Sequence, residues 1–400
     1  MANPSLGALT WWRKWPKKNW AMAAVGFSVA VFLLPLISNS WRDDDTNVNQ
    51  PFDRSHSITA DLVDLTLLRN AKDRGALCLD GSFPGYHFQK GFGSGSNNWL
   101  VYIEGGGWCD TISKCSSRSL TPLGSSKYME RQVPFTGILS SDPAQNPDFF
   151  SWNKVKIRYC DGASFAGHPE SENGTRLFFR GQLIWEALMD EVLSLGCLVQ
   201  NRLFFQDALL EGFFLDEKDV LGNQVMRSFY RDVVQLQGVA KSLHKDCIAR
   251  MEPYKCLFPR EIIKNIKTPV FLVNPAYDFW QIQNILIPDA SDPYHSWQNC
   301  RLSIHKCNPS QIATLQGFRN SLLEALSEFQ KNKEGGMFIN SCFVHCQTGL
   351  AHTWHSPKSP RINNKTVAES VGDWFFNRNI VKQIDCPYPC DPTCYHLDFT

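Results

Sequence analysis

One stretch constrains the fold more than any other: Asn98 to Cys109 reads N-W-L-V-Y-I-E-G-G-G-W-C. Trp99 to Ile103 is an unbroken apolar, β-prone run, the profile of a strand buried on both faces inside a parallel sheet. Gly105, Gly106 and Gly107 follow at once. Three glycines after a strand let the backbone turn where no Cβ fits, and they leave main-chain N–H groups bare. Bare N–H groups at the C-terminal end of a strand are the raw material for stabilising an oxyanion. The same three residues serve equally well as a tight turn that approaches a neighbouring helix, and only the rest of the chain decides between the two.

Further segments extend the pattern of that strand. Leu77–Gly81 and Gly85–His87 suggest short strands and turns near the start of a sheet, and Lys154–Tyr159 (K-V-K-I-R-Y) alternates like a strand. Leu177–Leu195 carries Leu183, Ile184, Ala187, Leu188 and Val192 at helical spacing and stops at Gly196, a favourable C-terminal residue. Pro269–Val273 reads as a buried strand, Ser310–Lys331 as a long helix, and Met337–Phe343 as another strand. Strands alternating with helices predict an α/β fold: a mainly parallel sheet covered by helices on both faces. Neither an internal repeat nor a low-complexity tract interrupts it.

The 400 residues, 43% of them hydrophobic, suffice for one large domain. Lys+Arg 40 against Asp+Glu 39 leaves a net charge of +1, which offers no electrostatic footprint for nucleic acid. The chain divides into a basic stub (1–19), an uncharged apolar segment (20–37), a polar linker (38–56) and the globular body (57–400). Arg13, Lys14, Lys17 and Lys18 ahead of Trp20–Ile37 make a secretory signal peptide or, preferred here, a signal anchor that leaves the body outside the cytosol. Membrane contact is expected through that segment alone. Fourteen cysteines in such a chain read as disulfides. Cys386, Cys390 and Cys394, interleaved with prolines, fit a stapled tail better than a metal site, which would need a fourth ligand. Sequons at Asn173 and Asn364 agree with secretion and glycosylation.

Chemistry enters with two residues. Asp278 follows the Phe271–Val273 run by a short loop, and His345 follows Phe338–Ile339 by another. An acid and then a histidine, each just past a strand's C-terminal end, match the second and third members of the chain order Ser, Asp, His found in α/β-hydrolases. The acid fixes the imidazole tautomer, and the imidazole takes the nucleophile's proton.

The motifs C-L-D-G-S-F-P-G-Y-H (Cys78–His87), E-G-G-G-W-C (Glu104–Cys109), Y-C-D-G-A-S-F-A-G (Tyr159–Gly167), N-P-A-Y-D-F-W-Q-I-Q-N (Asn274–Asn284) and S-W-Q-N-C (Ser296–Cys300), with the cysteine-rich tail, resemble the plant pectin acetylesterases, relatives of the Notum carboxylesterases. The resemblance runs from about Ser57 to Thr400. It implies an α/β-hydrolase-like fold, hydrolysis of acetyl esters on cell-wall pectin, no metal or organic cofactor, Asp278 and His345 as catalytic acid and base, and Gly106 and Gly107 in the oxyanion-hole loop. Acetylated pectin of the homogalacturonan type is the implied partner, in the secretory pathway and cell wall.

One departure stands out. The family's nucleophile elbow, G-C-S-A-G-G, follows a strand after the helix that ends here at Gly196. Here the sequence continues C-L-V-Q-N-R-L-F-F-Q-D-A-L-L-E before the family pattern resumes at G-F-F-L-D-E, and no serine lies in the interval. The central elbow strand therefore reads as deleted, with Leu203–Phe205 as a substitute, and the edge is abrupt enough for a splice form or a gene-model error. Ser164, in G-A-S-F-A-G, is a weak stand-in nucleophile, because the family carries that segment beside an intact elbow. Cys197, at a helix C-terminus where the macrodipole disfavours a thiolate, is a weaker one; cysteine parity suggests that one cysteine has lost its partner with the missing segment. The resulting expectation is an ester hydrolase by descent that is crippled in this chain. Two alternatives stand: a non-catalytic pectin-binding protein, or a Notum-like esterase acting on a lipid-modified protein.

Overall fold

A computed structural model of the chain describes residues 60–169, 172, 174–197, 204–206 and 212–399. The anchor segment 20–37, the linker 38–56, Asn173 and most of the interval after Cys197 lie outside the described residues. Among the described residues no helix is long and apolar enough to cross a membrane.

Among the described residues nine strands form in chain order: β1 (Leu62–Leu67), β2 (Gly85–Gln89), β3 (Trp99–Ile103), β4 (Gln132–Pro134), β5 (Asn153–Ile157), β6 (Phe204–Gln206), β7 (Phe271–Pro275), β8 (Gly336–Asn340) and β9 (Lys382–Ile384). They make two sheets, one ordered β4-β1-β2-β5-β3-β6 and one ordered β7-β8-β9. The pairs β5–β3, β3–β6, β7–β8 and β8–β9 are parallel. The pairs around β1 and β2 are antiparallel, so the N-terminal half of the sheet departs from the expected parallel pattern. Only β1 and β2 follow one another directly along the chain; β1 meets β4, and β2 meets β5, across long intervals of sequence.

Burial explains the layers. Leu100 and Val101 of β3 and Val155 and Ile157 of β5 are fully buried, as expected for central strands. The helix Gly181–Ser194 lays Ile184, Ala187, Leu188 and Val192 against Val101, Ile103, Val155 and Ile157. In β8 the side chains alternate. Met337 and Ile339 pack with Leu315, Phe318 and Leu322 of the helix Pro309–Ala325, while Phe338 packs with Val367, Val371 and Phe375 of the helix Val367–Phe375. Helices therefore cover both faces of a period-two strand. Both helices start on capping boxes, Asn308 with Gln311 and Thr366 with Glu369. The long helix expected over Ser310–Lys331 ends at Ala325, and a single turn, Ser327–Gln330, follows it.

The elbow region carries the most telling difference. A three-residue strand, β6, pairs parallel with β3, where the substitute strand was expected. No pairing joins β6 to β7 among the described residues, and the sheet divides there. Past the divide, the returning chain is tied to side chains: Phe213 N–H donates to Asn274 Oδ1 on β7 (3.0 Å), and Leu215 N–H to Gln281 Oε1 (3.0 Å). Disulfides join Cys78–Cys160, Cys109–Cys115, Cys247–Cys256, Cys300–Cys307, Cys342–Cys394 and Cys386–Cys390. The three tail cysteines are all consumed this way, so the stapled-tail reading holds. Cys197 and Cys346 stand outside these bridges.

Candidate active site

β7 runs out at Pro275, and Asp278 caps the single helical turn that follows. Its Oδ1 accepts Gln281 N–H at 3.0 Å, and the residue is 1% exposed. β8 runs out at Asn340, and the next loop delivers His345. The ring's Nδ1 lies 2.8 Å from Asp278 Oδ2. A second tie joins the loops themselves, from Phe279 N–H to Val344 O at 3.4 Å. A buried carboxylate at Nδ1 holds a neutral imidazole as the Nδ1–H tautomer, and Nε2 is then the proton acceptor. The structure thus brings together the two residues singled out from their places after strands.

The glycine loop leaves the C-terminal end of β3, in the sheet half that lies across the divide from β7. Gly106 has φ +152° and Gly107 φ +65°. A Cβ on Gly106 would come within 2.6 Å of the end of the Leu123 side chain, and the positive φ of both glycines is a conformation that favours glycine. Among the described residues, none of the N–H groups of Gly105, Gly106, Gly107 and Trp108 donates a hydrogen bond. The expected bare N–H groups are present. The start of the loop is held by Glu104, whose carboxylate accepts Arg158 Nε (2.8 Å) and Tyr159 N–H (3.0 Å).

An aromatic wall connects loop to dyad. Trp108, next after Gly107, packs edge-on against Phe214 (5.2 Å), Tyr230 (5.2 Å) and Trp280 (6.3 Å). The Trp280 ring stacks on His345 at 6.1 Å, and Phe214 lies at 6.1 Å from the same ring. Apolar rings around a hydrogen-bonded Asp–His pair lower the local dielectric, which strengthens any electrostatic stabilisation there.

Ser164 sits in a turn beside the glycine loop, exposed, with φ +50°. Its N–H donates to Tyr159 Oη at 3.0 Å. Asp161 shapes that turn, accepting Ala163 N–H (3.2 Å) and Phe165 N–H (2.9 Å) on Oδ2. Burial pushes the Asp161 carboxyl up to about 7, against the pull of those two N–H groups and of Arg118. Cys197 is fully buried at the end of the helix Gly181–Ser194, and burial raises its thiol, which argues against a thiolate there. Asn364 is exposed, in a tight turn with Asn363, both at positive φ. The threonine of its sequon, Thr366, is buried and caps the next helix.

A family model described as pectinacetylesterase matches residues 56–205 and 204–395. The chain belongs to the pectinacetylesterase family. It is 56% identical to "pectin acetylesterase 5" of Arabidopsis thaliana, covering 100% of both chains in an alignment of 431 positions. It is 55% identical to "pectin acetylesterase 4" of the same plant, over 96% of this chain and 98% of that one. More distant is "palmitoleoyl-protein carboxylesterase notum1" of Xenopus laevis, 23% identical over 84% of this chain and 74% of its own. The family match breaks at residues 204–205, inside β6.

Sequence reasoning missed the side chains that hold the glycine loop from outside: Glu104, Arg118, Arg158 and Tyr159. Three of the four lie in the quoted motifs or next to them, yet their contacts cross between segments, and no local spacing announces them.

Proposed function

We propose that this chain carries the acid–base and oxyanion-binding parts of a pectin acetylesterase-type ester hydrolase and lacks its serine. Asp278 orients His345, and His345 Nε2 takes the proton from the attacking group. N–H groups of the glycine loop, which includes Gly106 and Gly107, stabilise the negative oxygen that forms when the acetyl carbonyl is attacked. The substrate is an acetyl ester of a galacturonan-type pectin outside the cytosol. The contact between His345 Nδ1 and Asp278 Oδ2 carries this reading, and the bare N–H groups of the glycine loop and the six disulfides agree with it.

Two further observations support a missing nucleophile. The family match breaks inside β6, and the alignment with the Arabidopsis relative runs 431 positions for 400 residues here, so at least 31 positions of that alignment have no residue in this chain. With no serine between Cys197 and Phe213, the acyl-enzyme route is closed, and only slow base-assisted attack by water remains. Loss of a catalytic serine costs on the order of 10⁶ in turnover.

The full chain, purified from a secretory host, is assayed for acetate release from acetylated pectin and from an aryl acetate, beside a serine-containing relative. Release several powers of ten below the relative is expected. Turnover equal to the relative's and abolished by His345→Ala would refute the missing-nucleophile reading. If Ser164→Ala abolished it as well, the nucleophile would be Ser164. Equal turnover that survives His345→Ala would refute the dyad assignment.

A further inference from the structure

The carbonyl oxygens of Gly106 and Gly107 are both held from outside. Arg118, the last residue of the helix Ile112–Arg118, donates from Nη2 to Gly106 O at 2.6 Å. Tyr159 donates from its hydroxyl to Gly107 O at 2.7 Å and accepts Ser164 N–H at 3.0 Å. The Arg118 guanidinium lies 5.8 Å from the centre of the Tyr159 ring, so the two donors support each other. Burial raises the fully buried Tyr159 phenol far above its ordinary range, and it stays protonated and able to donate.

In a trans peptide the C=O of one residue and the N–H of the next point in opposite directions. A donor fixed on Gly106 O therefore aims Gly107 N–H the other way, and a donor fixed on Gly107 O does the same for Trp108 N–H. Neither N–H has an acceptor among the described residues. The glycines make this control necessary. With no Cβ on either side, the Gly106–Gly107 peptide rotates at little steric cost, and a flipped peptide would present a carbonyl oxygen where a negative charge has to be received. We propose that Arg118 and Tyr159 are positioning residues that lock the loop with Gly107 N–H and Trp108 N–H facing the site. This proposal rests on the ester-hydrolase reading above and adds the device that keeps the anion-binding face formed without substrate.

The test needs no nucleophile. The full chain is labelled with ¹⁵N at glycine and tryptophan, and its amide resonances are followed as sodium acetate, the product anion, is added. The clamp is read before any acetate is present. Tyr159→Phe, which changes no charge, shifts the Trp108 amide, and Arg118→Met shifts the Gly107 amide, while the other glycine resonances stay in place and show the fold intact. Each variant then needs about fivefold more acetate for half-saturation, the cost of one hydrogen bond. Unmoved amides in both variants, with acetate titrating as in the parent, would overturn the clamp and leave the ester-hydrolase reading standing. A parent whose Gly107 and Trp108 amides ignore acetate would strike that reading instead, with the acetate-free shifts still judging the clamp.

Discussion

Replacing Asp161 by asparagine should make this protein more stable at neutral pH and flatten its stability against pH. Asp161 is 0% exposed, and one oxygen, Oδ1, is buried without a partner. Oδ2 accepts two N–H groups, from Ala163 and Phe165, and Arg118 is the charged group that acts on it. Burial outweighs these and lifts the carboxyl from 3.8 to about 7 in the fold. The folded protein therefore keeps a proton that the unfolded chain releases. Below about pH 4 both states are protonated and the group is neutral in the balance. As pH rises from there to about 7, stability falls, because the unfolded state is increasingly favoured by ionising. At 1.36 kcal/mol for each unit of pKa difference, the loss reaches about 4 kcal/mol and then levels off. An asparagine keeps an oxygen for the two N–H groups and carries no charge. The difference in unfolding free energy between Asp161→Asn and the parent should swing by about 4 kcal/mol in favour of the variant between pH 4 and pH 8. Urea unfolding at several pH values across that window measures it, with the other titrating groups cancelling between the two proteins. Parallel stability curves, or a variant that loses ground as pH rises, would refute the assignment of a buried, destabilised carboxylate.

The disulfides should rank by the loop they close. Removing Cys78–Cys160, with a sequence separation of 82, by serine at both positions should cost about 4.5 kcal/mol of unfolding free energy, against about 2 kcal/mol for Cys109–Cys115 with its separation of 6; denaturant midpoints in the reverse order would contradict the loop-entropy account. Gly181→Ala should be among the most damaging single methyl additions, because the new Cβ would meet the Asp161 carboxylate and the Phe165 backbone; a loss of at least about 2 kcal/mol in thermal unfolding is expected, and a melting temperature equal to the parent's would show that the helix shifts to accommodate it.

How much of this was legible depended on where the controlling interactions lie along the chain. β3 and its glycine loop were readable because a buried strand and a turn that excludes Cβ are written in adjacent residues. Asp278 and His345 were readable because each follows an apolar run by a short loop, although they are 67 residues apart. β1 and β4 were not identified: β1 alternates exposed and buried positions only in part, and β4 has three residues. Strands that weak are fixed by their neighbours in the sheet, which a linear reading does not see. The same holds for Arg118 and Tyr159, whose roles exist only once the helix Ile112–Arg118 and the end of β5 converge on the loop.

The place where the sheet divides is the place where chemistry is proposed to be missing, and one physical cause accounts for both. In an α/β sheet, ligands gather at the C-terminal ends of parallel strands. Here β3 delivers the glycine loop at that edge, and β7 and β8 deliver Asp278 and His345. β6 lies beside β3 at the edge of the first sheet, and its pairing carries Gln206 level with Tyr102, just short of the glycine loop. On the proposed reading, a nucleophile launched from the end of a longer strand beside β3 would stand next to the glycine loop. Beside β7, the chain that returns at Phe213 and Leu215 bonds to side chains instead, to Asn274 Oδ1 and Gln281 Oε1. On the reading proposed above, shortening one segment would remove the reactive group and the strand pairing together, while the glycine loop and the Asp278–His345 pair persist, each held by contacts of its own: Glu104, Arg118 and Tyr159 on one side, Gln281 and the tie between the two loops on the other.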